Sequence, residues 1–213
     1  GGENRVLQVS RTQAGIQDGL MSSRMLPFSR LTPRFQRLVR QVAPELGKQV
    51  ELTMVNADDE MDKTILERIT SPLEHMLRNA IDHGIEMPEH REMMGKSRTG
   101  QISLEVVREG NEVVIHLSDD GAGINVEAVR KKAIAQGLIS VQDDTLTDLD
   151  IMQYIFNAGF TTTNAITQIS GRGVGMDVVR SEIRQLGGTV SVTSTRGQGS
   201  RFTLRVPLTV AMS

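Results

Sequence analysis

The chain reads as a two-layer α/β sandwich, a mixed sheet of about five strands with helices on one face. Three observations predict it. Short runs alternate apolar and polar residues at period two; longer runs repeat apolar residues every three or four positions; and two of the period-two runs close the chain around a glycine-bearing turn. The two periodicities interleave, so the helices pack on the sheet and do not form a bundle of their own.

From Val6 to Met25, the residues Val6, Val9, Ile16, Leu20 and Met25 make a rough helical stripe weakened by Gly15 and Gly19. It is expected to be the end of a longer dimerisation helix, so residues 1–26 are set apart from a domain at 27–213. After Pro27, Leu31, Phe35, Leu38, Val39 and Val42 predict a helix ending near Pro44 and Gly47. Val50, Leu52 and Met54 alternate with polar neighbours and predict a strand. The strongest helical pattern runs from about Asp62 to His83. Ser71-Pro72-Leu73-Glu74 inside it has capping-box spacing, with proline at the first helical position, so the helix is expected to restart or kink there.

Ile102-Leu104-Val106 and Val113-Ile115-Leu117, separated by Glu109-Gly110-Asn111, predict an antiparallel hairpin. Helical patterns return at 126–135 and 149–156. A Thr-rich polar segment from Gly159 to Gly171 reads as a mobile loop. Val174, Val178, Val179, Ile183 and Leu186 predict a last helix, followed by strands at 189–193 and 201–206.

Composition narrows the function. With 24 basic and 26 acidic residues the net charge is -2, without the basic excess of a nucleic-acid binder. There is no cysteine, which removes disulfides, zinc-thiolate sites and thiol nucleophiles. No apolar run approaches the ~20 residues of a membrane-spanning helix, so no membrane insertion is expected and a cytoplasmic location is. Aromatic residues are 3%, so Leu, Ile, Val and the 11 Met must fill the core.

Four constellations carry chemistry. His75, Asn79 and His83 stand at i, i+4 and i+8 on one helix and face a common edge; the same spacing also suits a solvated flank. The zinc-protease pattern His-Glu-x-x-His is absent. Asp119-Asp120-Gly121-Ala122-Gly123 ends a strand, where glycines admit a ligand close to the backbone and a fixed carboxylate accepts its hydrogen bonds; alone, it is also an ordinary turn. Gly171-Arg172-Gly173-Val174-Gly175-Met176 opens a helix, and its amides can face an anion. It is not a Rossmann fingerprint, which would follow a strand in a parallel unit. Gly197-Gln198-Gly199-Ser200 joins the final strands.

In this order the four resemble the N, Asp-Gly, Gly-rich and Gly-Thr boxes of the ATP-binding fold shared by gyrase, Hsp90, histidine kinases and MutL, the GHKL superfamily. The wording His75-Met-Leu-Arg-Asn79-Ala-Ile-Asp-His83-Gly-Ile-Glu86 and Ser170-Gly-Arg-Gly-Val-Gly-Met-Asp-Val-Val179 is most similar to the CheA-type chemotaxis kinases, as are Arg24-Met-Leu-Pro-Phe28 and Val206-Pro-Leu-Thr209. Within them it resembles the large hybrid forms that control type IV pili.

The resemblance implies a histidine kinase catalytic domain that binds ATP and Mg2+ and donates the γ-phosphoryl group to a histidine on a separate phosphotransfer domain. Its implied partners are that domain, the dimerisation and coupling domains, and, indirectly, a response regulator and receptor array. Asn79 would coordinate Mg2+. Asp119, flanked by Gly121 and Gly123, would accept from the adenine amino group. His83 and Lys132 would contact phosphate, the Gly171–Met176 segment would close over it, and Ser200 would keep the hydroxyl of the last box. His75 would be the catalytic histidine, near the γ-phosphate. Ala128, Ser200 and Asn157-Ala158 depart from the family pattern. Two other functions are open at this point: an ATP hydrolase driving a conformational clamp, and a regulatory module that keeps the fold without catalysis.

Overall fold

A computed structural model gives the structure of the protein and describes residues 24–160 and 175–209. The elements, in order, are β1 (Met25–Pro27), α1 (Thr32–Glu45), β2 (Gln49–Val55), β3 (Glu60–Asp62), α2 (Lys63–Asn79), α3 (Pro88–Met93), β4 (Thr99–Glu109), β5 (Glu112–Asp119), α4 (Val126–Ala135), α5 (Asp148–Met152), α6 (Met176–Gln185), β6 (Thr189–Thr195) and β7 (Gly199–Pro207). Five strands form one sheet in the order β2-β4-β5-β7-β6. Only β2 and β4 run parallel; the other neighbours are antiparallel. The parallel pair needs a long crossover, and α2 and α3 lie within it.

One face of the sheet is apolar. Ile102, Leu104 and Val106 of β4 and Val113, Ile115 and Leu117 of β5 are buried in the core with Phe35, Leu73 and Ile183 from the helices. The opposite face carries polar side chains such as His116, whose Nδ1 lies 2.9 Å from Thr203 Oγ1. Helices on one face of a mixed five-stranded sheet is the architecture the periodicities predict. The β4–β5 hairpin turns at Gly110, which takes φ 61°, the left-handed conformation a tight two-residue turn requires.

Three local features differ from the sequence expectation. Met25, expected at the end of a helix, lies in β1, paired antiparallel with β3 (Met25 with Asp62, Leu26 with Met61). The expected boundary after residue 26 therefore falls inside this small second sheet; main-chain pairing fixes these residues where a broken apolar stripe could not. The stripe from Val6, up to residue 23, lies outside the described residues, as do residues 161–174 of the Thr-rich segment and the start of the Gly-rich box.

The second difference is Pro72, which neither restarts nor interrupts α2. The Ser71–Glu74 spacing is not a helix start because the true start, nine residues earlier at Asp62, is better capped. Asp62 Oδ1 accepts from Thr64 N at 2.7 Å and Ile65 N at 3.4 Å. Pro72 is buried in the core side of α2, and Thr70 Oγ1 donates to Leu66 O at 2.8 Å just before it. Packing holds the helix through the missing donor.

The third difference follows α2 directly. Residues Ala80–Gly84 form a wide π-type turn, closed by Ile85 N donating to Ala80 O at 2.8 Å. Such turns recur at functional sites.

Replacing Asp62 by alanine removes the cap from α2, the longest helix among the described residues. We expect a loss of about 1 kcal/mol, measured by denaturant unfolding, and little of that loss in Asp62→Asn, whose side chain can still cap.

Candidate functional site

Asp119 is the last residue of β5, the central strand, and its register partners are Ile102 and Ser200 on either side. At this end of the sheet lies a cavity of about 340 Å³. The end of α2 supplies Asn79 and the wide turn His83 and Gly84; the strand ends supply Asp119 and Ser200; α4 supplies Val129 and Lys132. Ile124, Ile155 and Phe202 make apolar walls, and Phe156 meets Phe202 edge-on with ring centroids 6.1 Å apart. The cavity thus has an apolar body with a few convergent polar groups, the usual composition of a small-molecule site.

Asp119 is 8% exposed. Its Oδ1 accepts from Gly121 N at 2.8 Å. Burial pushes its carboxyl up to about 6, against the opposing pull of hydrogen bonds from the Gly121 and Ser200 amides. A raised folded-state value stabilises the fold in acid: the contribution is full below the usual carboxylate range and is lost as pH rises through about 6. From the shift it amounts to roughly 3 kcal/mol. At neutral pH the fold therefore carries a buried carboxylate at a cost, as sites built for a ligand do.

The turn after Asp119 is pressed against the wide turn after α2. Ala122 N donates to Gly84 O at 2.9 Å, and a Cβ on Gly121 would lie 2.0 Å from that same oxygen. Behind the turn is a buried ionic cluster. Arg91, 1% exposed, binds Glu86 Oε1 at 2.8 Å and Asp120 Oδ2 at 3.1 Å. Lys96 Nζ binds Glu86 Oε2 at 2.7 Å and the Asp120 and Gly121 carbonyls at 3.0 and 2.9 Å. Burial pushes the Glu86 carboxyl up, but the hydrogen bonds and charges of Lys96 and Arg91 prevail and hold it below the usual range. Asp120 is thus a structural member of the motif.

Asn79 donates its amide to Met176 Sδ at 3.1 Å, which ties α2 to the start of α6 and leaves its carbonyl oxygen to accept or coordinate. That oxygen is a hard donor suited to Mg2+. No cluster of three or more acidic or histidine ligands exists among the described residues. A magnesium ion therefore fits here only as a companion of ligand oxygens and water, the way it is commonly held with phosphates. Lys132 Nζ sits over the Phe160 ring, 5.1 Å from its centroid.

Ser200 Oγ is 3.0 Å from Ser194 Oγ, which in turn accepts from Ile124 N at 2.7 Å. This joins the closing hairpin to the cavity wall.

Of the residues singled out in sequence, Asn79, His83, Asp119, Gly123, Lys132, Met176 and Ser200 line the cavity. Gly121 shapes the turn beneath Asp119, and Gly175 is the N-cap of α6. His75 is half-buried one helical turn before Asn79 and is not part of the cavity wall. Gly171, Arg172, Gly173 and Val174 lie outside the described residues.

Sequence reasoning missed Lys48, whose Nζ donates to the carbonyls of Ile81 at 2.8 Å and Asp82 at 2.6 Å. Burial holds its ammonium below the usual lysine value, partly offset by the charges of Asp82 and Glu86. It also missed Glu86, Arg91 and Lys96, whose contacts with the Asp120–Gly121 turn cross the fold and follow no periodicity.

Residues 68–210 match the family of histidine kinase-, DNA gyrase B-, and HSP90-like ATPases. The chain belongs to that family. It is 44% identical over 205 residues to the chemotaxis protein CheA of Salmonella typhimurium, 96% of this chain and 30% of the relative. To the CheA of Bacillus subtilis it is 42% identical over 208 residues, 97% of this chain and 31% of the relative. The chain thus spans about a third of the length of these curated relatives. Among solved structures it is similar in fold to the catalytic domain of the histidine kinase ThkA, with a TM-score of 0.52 at 16% identity, covering 89% of this chain and 97% of that one.

Because Lys48 holds the carbonyls of the wide turn, Lys48→Met is expected to destabilise the fold by about 1–3 kcal/mol. Amide exchange should accelerate selectively at residues 80–86, where a uniform change across the sheet would refute the assignment.

Proposed function

We propose that this chain binds Mg-ATP in the cavity below Asp119 and presents the γ-phosphoryl group to a histidine on a separate phosphotransfer domain. The observation that carries the reading is Asp119, a buried carboxylate at the closed end of an apolar cavity of about 340 Å³. An ionised carboxylate accepts from the amino group of adenine. Guanine puts a carbonyl oxygen at that position, so acceptor would face acceptor, which disfavours GTP. The apolar walls suit a purine ring, and Asn79, His83 and Lys132 suit phosphates.

When bound, ATP supplies the phosphoryl group and Mg2+ neutralises charge on its oxygens. The chain's own residues act by positioning and electrostatics. Asn79 offers its side-chain oxygen to the cation. Lys132 is held at the rim by Phe160, and His83, beside Asp82 at 3.5 Å, supplies a second group there. His75, one turn along α2 from Asn79, orients the transferring end. The start of α6, at Gly175 and Met176, contributes backbone donors to the phosphates. A hydrolytic clamp would need a carboxylate base on this stretch of α2. The neighbouring Glu74 is bound to Arg34 at 2.7 Å, so it is not placed for that role.

The 42–44% identity to chemotaxis kinases over nearly the whole chain supports a kinase role. The phosphoacceptor histidine, the dimerisation and coupling domains, the response regulator and the receptor array belong to this same proposal.

Calorimetric titration with ATP, with and without Mg2+, on the chain and on Asp119→Asn tests it. Loss of a hydrogen bond to a charged group predicts roughly 10- to 100-fold weaker binding in the variant. Equal affinities, or no heat up to millimolar ATP, would refute it.

A further inference from the structure

Charge is distributed very unevenly along this chain. Residues 24–48 hold Arg24, Arg30, Arg34, Arg37, Arg40 and Lys48 against Glu45 alone, a net +5 in a chain of net -2. The structure gathers most of it on one surface. Arg30, Arg34, Arg37 and Arg40 are all exposed along α1 and the turn before it. The apolar residues of α1, Phe35, Leu38, Val39 and Val42, are all buried. From Arg30 to Arg40 the ridge spans about 15 Å.

Of these four arginines only Arg34 has a carboxylate partner among the described residues, Glu74 at 2.7 Å. Between α1 and α2 the ridge borders a groove of about 320 Å³ that also receives Arg78. The Arg78 Nε is buried and has no hydrogen-bond partner. Arginine forks left without carboxylates, one of them half-buried with its Nε unbonded, are features of a surface that a negatively charged partner completes.

We infer that the α1 ridge and the α1–α2 groove dock an acidic helical face of the domain that carries the phosphoacceptor histidine. This rests on the kinase reading above. The groove wall on α2 is the same stretch that bears His75 and Asn79, with Arg78 adjacent in sequence to Asn79, so a partner seated there stands beside the phosphate end of the cavity. A membrane surface is disfavoured because the exposed side of α1 has no large apolar residue to insert. Nucleic acid is disfavoured because Glu45 and Glu74 share the groove with the arginines and the whole chain is net negative. A protein face can place its carboxylates between those two glutamates; a uniform polyphosphate cannot.

The test titrates the isotope-labelled chain with a histidine-phosphotransfer domain, and in parallel with a short DNA duplex and with phosphatidylglycerol vesicles. It then repeats the titrations and a phosphotransfer assay on the double variant Arg37→Glu, Arg40→Glu. Both positions are exposed, so the fold and the Mg-ATP affinity are expected to be unchanged.

The inference predicts shifts in α1 and the first-facing turns of α2, about tenfold weaker binding of the phosphotransfer domain in the variant, and a matching rise in its KM at unchanged kcat. Absent binding, shifts elsewhere, an unaltered variant, or tighter ridge-dependent binding of DNA or vesicles would overturn it. Binding that the variant weakens, without any phosphoryl transfer by the wild-type chain, would keep the docking surface and refute the kinase reading instead.

Discussion

The buried contact of Arg91 and Lys96 with Glu86 and with the Asp120–Gly121 main chain is the constraint on which the rest of the site depends. Two stretches of the chain meet there: residues 86–97, which run from the turn after α2 through α3 and the loop behind it, and the turn that ends the central strand. Isolated charges could not be buried in this way, since each would cost several kcal/mol. Here both carboxylate oxygens of Glu86 are bonded, and Arg91 also donates to Ser97 O at 2.6 Å. Removing one partner of such a cluster typically costs about 3–5 kcal/mol, because the other charge is left buried. The cluster therefore clamps the Asp119 turn against Gly84, and that contact sets the closed end of the cavity.

A gradient of charge follows from this arrangement. At the closed end a carboxylate is held in an apolar setting; at the open end stand Asn79, His83 and the Lys132 ammonium. A ligand with a hydrogen-bond donor on a flat apolar body and an anionic tail matches it from end to end. Lys48 works behind the wall. By holding the Ile81 and Asp82 carbonyls it supports the wide turn that places Asn79 and His83 on the same cavity although five residues, where a helix needs four, close the turn. Positioning in this family member is thus shared between a buried ionic cluster and a single half-buried ammonium, Lys48, both acting on the turn after α2.

Much of this was legible in the sequence because it is written in local pattern. The period-two runs at 102–106 and 113–117 predict a hairpin, and the glycines around Asp119 mark a close backbone approach. What escaped is non-local. Strand β1 has three residues and no periodicity of its own; it exists because β3 pairs with it. Pro72 reads as a break by propensity, yet it is buried within α2, where packing overrides the missing donor. Lys48 lies 33 residues from Ile81, and no spacing rule connects them. Sequence reasoning singles out Asp119 but assigns Asp120 no role; the structure binds Asp120 to Arg91 while Asp119 faces the cavity.

The central claim is that the fold holds the Asp119 carboxyl desolvated at the floor of the cavity so that an adenine amino group can complete it. Carbon-13 detection of that carboxyl during a pH titration, with and without saturating ATP, measures this directly. Without ligand the midpoint should lie near 6, and ATP should move it down, since binding favours the ionised form. A midpoint in the ordinary carboxylate range without ligand, or one that ATP leaves in place, would contradict the account.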